Sequence, residues 1–283
     1  MPVQPTPALL DIDRISPQLR DCGIGHPLYY APSLPSTMDR AAELAAAGAP
    51  SGAVIVVEEQ TAGRGRRGRA WHAPPATALL VSVVLRPPQL QLPASHLPML
   101  AGVALVDAVT ELAPELKNEL TLKWPNDLVV GLDPAAANKV GGILVESRLL
   151  PDGTVASAVV GVGVNANQRR SDLPPVPAAF PAPTSLALRL GRAVDRSRLL
   201  VLLCRRMAAY LAAPSAESVR LAWRRRLSTV GQTVTLYPQG VEAVPLLIGH
   251  ALAVDDNGSL IVEDRHGVRH TFAAGDVSMR VAP

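Results

Sequence analysis

Lysine is scarce in this chain. Of 27 basic residues only three are lysine, Lys117, Lys123 and Lys139; the rest are arginine. Each survivor is either retained by chance or marks a place where a compact ammonium on a flexible stem is wanted. Aromatic residues are also few, at 3%, so the core has to be aliphatic, and an apolar fraction of 48% is ample for one. Two cysteines, Cys22 and Cys204, do not make a disulfide framework, and a reducing cytoplasm is the default that follows. No apolar run approaches the roughly 20 residues of a membrane span. The opening residues have neither a basic n-region nor an apolar h-region, so no signal peptide is visible and no membrane partner is expected. There is no Cys/His cluster and no Ser-His-Asp arrangement. His266 and His270 are four apart, but Gly267 between them makes a turn, not the helix a metal pair at that spacing needs. The net charge of +3 favours anionic ligands without demanding nucleic acid.

At 283 residues, one large domain and a small one are expected. Residues 1–27 are Pro-rich and read as an irregular extension. Residues 28–30 form a short strand candidate. Ser36-Thr37-Met38-Asp39 supplies the N-cap ahead of a helical run over 40–47, with Gly48 as its C′ glycine. Apolar runs predict strands at 53–59, 78–85, 120–123, 128–130, 142–146 and 156–164. Helical periodicity covers 95–112, 195–212 and 215–227, and a Pro-rich connection spans 167–183. After about residue 230 the character changes. Five short strands (234–237, 246–254, 260–263, 269–272, 277–281), with turn signals at Asp256-Asn257-Gly258 and Arg265-His266-Gly267, suggest a small SH3-like barrel over 230–283.

The most unusual stretch is Gly63-Arg64-Gly65-Arg66-Arg67-Gly68-Arg69, followed by Trp71. It matches G-x-G-x-x-G, but Pro74-Pro75 blocks the helix that a dinucleotide fingerprint requires, and no acidic residue stands about 20 positions on. A kinase glycine loop fails for want of H-R-D and D-F-G sequences. Taken alone, the stretch fits a solvated basic turn, an Arg/Gly nucleic-acid segment or a phosphate-binding loop. Lys123-Trp124-Pro125-Asn126-Asp127 reads as turn chemistry or as a polar cluster ending a strand. Trp124 reads as core. Lys139 opens an apolar strand bearing Gly141 and Gly142. Gly161 and Gly163 share one strand face ahead of Asn165, which lets something flat lie there, a bulge being the alternative. Ser36-Thr37 is explained by capping alone.

In this order and spacing the set resembles the biotin protein ligase family, most closely over residues 28–190. The resemblance implies an α+β fold: a mixed, largely antiparallel sheet packed by helices, as in class II synthetases, over 28–229, with the SH3-like domain after it. It implies a biotin–[biotin carboxyl-carrier protein] ligase that forms biotinyl-5′-AMP from biotin and ATP with Mg²⁺. Biotin then passes to a lysine of a carboxylase's biotin carboxyl carrier domain. Lys139 and Arg66 would be catalytic. Ser36, Thr37, Met38, Gln60, Arg64, Gly65, Arg66, Lys139 and Gly142 would bind biotin. Met38 stands where asparagine is usual. Arg66, Arg69, Trp71, Asn126, Asp127, Lys139 and Asn165 would line the adenylate site, with Asp127 as a metal ligand. The residues before 28 are too few and too Pro-rich for a helix-turn-helix module, so no DNA partner is expected; a monomer or homodimer is. A lipoate ligase and a nucleic-acid-binding regulator are the competing readings.

Overall fold

A seven-stranded sheet carries the larger part of the chain. The computed structural model describes residues 8–87, 92–152, 155–176, 181–212, 215–238, 244–274 and 277–281. The first elements are α1 (Ile12–Leu19), β1 (Leu28–Leu34), α2 (Thr37–Ala46), β2 (Val54–Gln60), β3 (Ala78–Leu85) and α3 (Leu97–Leu112). There follow β4 (Leu120–Lys123), β5 (Asp127–Val130), β6 (Asn138–Leu149) and β7 (Val155–Asn165), then α4 (Leu186–Leu190), α5 (Arg196–Ala212) and α6 (Ala216–Arg224). The strand order is β1-β2-β3-β7-β6-β5-β4. Only β1 and β2 run parallel, joined by α2 as their crossover; every other pair is antiparallel. This is the mixed sheet the resemblance implies.

The largely apolar helix α3 packs on one face of the sheet with α1 and α5 around it, and the aliphatic core lies there. The amphipathic α2 covers the other face, over Ile55, Val84 and Val159. Its start follows from Ser36, whose hydroxyl accepts the amide N–H of Asp39.

The opening of the chain departs from the irregular extension expected. Residues 12–19 form α1, capped by Asp11, which accepts the N–H of Arg14. Ile15 and Leu19, four apart on one face, are fully buried. Pro17 obscured that apolar pair in the sequence. A buried ion pair fixes the same region, with Arg196 2.8 Å from Glu58. Glu58 accepts the N–H of Leu10, and Arg196 donates to the carbonyls of Ala8 and Ala78. The short helix α4, capped by Ser185, also lies outside the sequence reading.

The five C-terminal strands form where expected: β8 (Thr233–Pro238), β9 (Leu247–Val254), β10 (Leu260–Asp264), β11 (Arg269–Phe272) and β12 (Val277–Val281). They make one antiparallel sheet in the order β11-β10-β9-β8-β12. Gly258 and Gly267 sit in the expected turns at φ +82° and +77°. This small sheet is fastened to the large one. The fully buried Trp124 is core, as read, and its indole N–H donates to the Gly258 carbonyl. The Lys123 ammonium donates to the Met279 carbonyl.

Candidate active site

β2 and β3 are antiparallel neighbours that a two-residue turn would join. Instead residues 61–77 lie between Gln60 and Ala78. This long insertion carries the Gly/Arg stretch. It curls back on itself: Trp71 N–H donates to the Gly63 carbonyl and Gly65 N–H to that of Arg69, around a single 3₁₀ turn at Arg66–Gly68. No longer helix forms there. The curl rests against the ends of β5, β6 and β7 and encloses a cavity of about 460 Å³. Of the site residues the family likeness names, all but Ser36 line this cavity. Ser36 serves as the cap of α2.

One end of the cavity is neutral and hydrogen-bonded. Thr37 N–H and Thr37 Oγ1 both reach Gln60 Oε1, at 2.8 and 3.0 Å. A main-chain N–H can only donate, so the atom facing it must be the amide oxygen, and Gln60 presents its NH₂ as donor elsewhere. Ser82 Oγ donates to Thr37 Oγ1 at 2.8 Å. The relay Ser82→Thr37→Gln60 leaves a fixed donor on Gln60 and an acceptor lone pair on Thr37. Ser82 lies outside the sequence reading. Its signal was a lone hydroxyl within Ala-Leu-Leu-Val-Ser-Val-Val-Leu, a strand buried at every position. Beside it, a Cβ on Gly161 would stand 2.5 Å from the Met38 sulfur, so Met38 closes this end.

The flat floor anticipated from the glycines is real, and the lid's own tryptophan lies on it. A Cβ on Gly163 would be 2.9 Å from the Trp71 indole, and one on Gly142 would be 3.4 Å from it. Lys139 Nζ stands 5.6 Å from the Trp71 ring centroid, a cation–π distance.

The other end is cationic. Arg64, Arg66, Arg69, Lys123 and Lys139 line the cavity, against Asp127 as the one carboxylate among its described lining residues. Lys139 and Asp127 pair at 2.6 Å. The Arg64 guanidinium bridges Asp39 and Glu146 at 2.6 and 2.9 Å, which ties the start of the curl to α2 and β6. Arg66 donates to Asn126 Oδ1 at 3.1 Å and to the Ala274 carbonyl ahead of β12. Asn126 is itself held by Ile143, which exchanges a main-chain and a side-chain hydrogen bond with it. Asn165 donates to the Thr184 carbonyl and accepts from Gln168, a buried residue the sequence reading did not single out. The main chain of Lys139 is clamped by Ala182 and Thr184. Burial pushes the Lys123 ammonium down to about 8; Asp127 opposes the shift, and Lys139 and Arg69 add to it.

Two kinds of comparison agree with this geometry. Residues 30–165 match the model of the biotin/lipoate A/B protein ligase family. The chain is 33% identical over 286 residues to the biotin–[acetyl-CoA-carboxylase] ligase of Mycobacterium tuberculosis, covering 95% of this chain and 98% of that protein. It is 35% identical over 235 residues to the enzyme of the same name from Paracoccus denitrificans, covering 82% and 92%. Among solved structures, the biotin protein ligase of Aquifex aeolicus in complex with biotin and ATP superposes with a TM-score of 0.69. At 24% identity, over 90% of this chain and 99% of that one, that likeness speaks for the fold. Sequence, fold and the joined neutral and cationic ends thus agree: the chain belongs to the biotin protein ligase branch of the biotin/lipoate ligase family.

Proposed function

We propose that the protein joins biotin to ATP as biotinyl-5′-adenylate and passes the biotinyl group to a lysine of a biotin carboxyl carrier domain. One observation carries this reading. A neutral pocket with a fixed donor and acceptor opens directly into a pocket lined by five cationic side chains and one carboxylate. A cyclic urea offers a carbonyl for Gln60 and an N–H for Thr37. A carboxylate and a triphosphate suit the cations.

In the first step a carboxylate oxygen of biotin attacks the α-phosphorus, and the bond to the β-phosphate oxygen breaks, releasing pyrophosphate. Two anions must approach, so positive charge has to cancel their repulsion and follow the charge that develops on phosphorus. Lys139 is placed for this, steadied by Asp127 and by the clamp on its main chain. Arg66 and Arg69 extend the positive field along the phosphates. Trp71, Asn126 and Asn165 line the adenylate side, and Gly142 leaves room for the Trp71 indole. The curl, anchored by Arg64, keeps water from the mixed anhydride. In the second step the neutral amine of the carrier lysine attacks the acyl carbon. AMP leaves, and the amide nitrogen loses its proton.

Mg²⁺ would accompany ATP and offset the charge of its phosphates. Among the described residues no three His, Cys, Asp or Glu side chains converge on a metal position. Asp127 is the protein group with the right chemistry to touch it, and it also pairs with Lys139. No described helix is long and apolar enough to cross a membrane.

The test is incubation with ATP, Mg²⁺, a carboxylase carrier domain and either biotin or lipoate, read by intact mass of the carrier. Addition of biotin is expected. Addition of lipoate alone would overturn the reading. Salt-sensitive DNA binding with no ATP-dependent transfer would point to the regulator instead.

A further inference from the structure

The curl between β2 and β3 is held at its two stems by a pair of buried charges that stand outside the cavity. Glu58 lies on β2, two residues before Gln60, and Arg196 opens α5. Both side chains are 3% exposed, and neither lines the cavity. The Arg196 guanidinium meets the Glu58 carboxylate at 2.8 Å. It also donates, at 2.9 Å, to the carbonyl of Ala78, where the curl ends and β3 begins. One guanidinium thus reaches both stems. The main chain repeats the link, since Ala76 N–H donates to the Glu58 carbonyl at 3.1 Å. Ala76 has φ +61°, in the left-handed region that a residue with a Cβ keeps only when its surroundings impose it.

The start of the chain closes this clamp from outside. Leu10 N–H donates to Glu58 Oε1 at 2.6 Å, and the Ala8 carbonyl accepts from Arg196 at 2.5 Å. Asp11 N–H donates to Ser197 Oγ, and Arg14 bonds both carboxylate oxygens of Asp195. A buried ion pair adds little net stability over a well-packed apolar pair, because desolvation offsets the attraction. What it adds is one fixed geometry, and here that geometry belongs to the stems of the curl. We propose that Glu58 and Arg196 are positioning residues of the active site. With residues 8–11 they hold the two stems, so that the curl closes over the cavity in one place. Their effect reaches the reaction only through the curl.

The consequence for catalysis rests on the ligase reading, and the experiment separates the two. Arg196→Lys keeps a positive charge opposite Glu58, but a compact ammonium cannot reproduce the fork that serves Glu58, Ala78 and Ala8 together. Ile15→Val is the control, since it trims the core beneath α1 and leaves every contact of the clamp in place. The first readout needs no substrate. Limited trypsin digestion of the folded protein is scored by mass for cuts after Arg64, Arg66 or Arg69. Cutting there should be about tenfold or more faster in Arg196→Lys, the span of one charged hydrogen bond, and within about twofold of wild type in Ile15→Val. The second readout is pyrophosphate release from biotin and ATP without a carrier. Wild type should slow after about one turnover, with the adenylate held under the curl, while Arg196→Lys should continue about tenfold faster as adenylate escapes. Equal cutting in Arg196→Lys and wild type overturns the assignment. So does equally fast cutting in Ile15→Val, which would make the effect one of general destabilisation. Faster cutting without added turnover in an active enzyme overturns it as well, because the curl would then close without its clamp. Wild type that releases no pyrophosphate overturns the ligase reading, and the trypsin cuts then decide the clamp by themselves.

Discussion

The two ends of the cavity are built in opposite ways. At the neutral end, Thr37, Gln60 and Ser82 sit on α2, β2 and β3, and each polar contact is a neutral hydrogen bond to a neighbour in regular structure. At the cationic end, Arg64 and Arg66 ride on a long curl. They hold carboxylates, an amide and a main-chain carbonyl, while Lys123 holds a carbonyl alone. The first arrangement is finished before a ligand arrives. The second is held in ion pairs and hydrogen bonds that, under the proposed function, a triphosphate would displace. Recognition of the small neutral head group is thus preorganised, and the chemistry is assembled on charges that exchange partners.

That contrast breaks most sharply at Lys139. Lys139→Arg keeps the charge but has to fit a planar fork between Asp127 and the Trp71 ring, where the ammonium stands at 2.6 and 5.6 Å. Pyrophosphate release on mixing with biotin and ATP should fall about a hundredfold or more. Biotin binding should persist, because the neutral end is untouched. A wild-type rate would mean that charge alone suffices and that the shape of lysine is irrelevant. A smaller effect is expected on the floor between the two ends. Gly163→Val places atoms where the Trp71 indole lies, within 2.9 Å even at the Cβ. The strand itself accepts valine readily. In the proposed adenylate site the indole would stack on the adenine for about 1–3 kcal/mol, so displacing it should raise KM for ATP about fivefold or more with KM for biotin within twofold. An unchanged KM for ATP would show that Trp71 leaves the floor when substrate binds.

Much of this architecture was legible because each signal was local. Alternating strands and Gly-bearing turns marked β8 to β12, and a Ser cap with a C′ glycine marked α2. Gly161 and Gly163 announced a flat floor. What the sequence could not show was what meets what. The floor is covered by Trp71, a residue of the lid itself. Arg64 faces Asp39 and Glu146, carboxylates distant in sequence. Ser36 caps the helix that holds Thr37, as capping alone predicts. α1 was missed because Pro17 outweighed Ile15 and Leu19, whose partner α5 begins some 180 residues later. The lowered pKa of Lys123 comes first from burial, with Asp127 opposing it and Lys139 and Arg69 adding to it, a fact of packing that no local signal carries.

The smallest predicted effect tests whether the neutral end is as finished as it looks. Ser82→Ala removes one hydroxyl from a fully buried site. Thr37 can still donate to Gln60, so no buried donor is orphaned, and stability should change by about 1 kcal/mol or less. The Thr37 hydroxyl, though, is no longer held from behind, and the acceptor it offers a ureido N–H loses its fixed direction. KM for biotin should rise about threefold to tenfold, the span of one neutral hydrogen bond, with kcat and KM for ATP unaltered. Steady-state pyrophosphate release at varied biotin reads the split. If KM for biotin stays put while the melting temperature drops, the hydroxyl only satisfies the core. The direction of Thr37 would then be set by α2 and Gln60 alone.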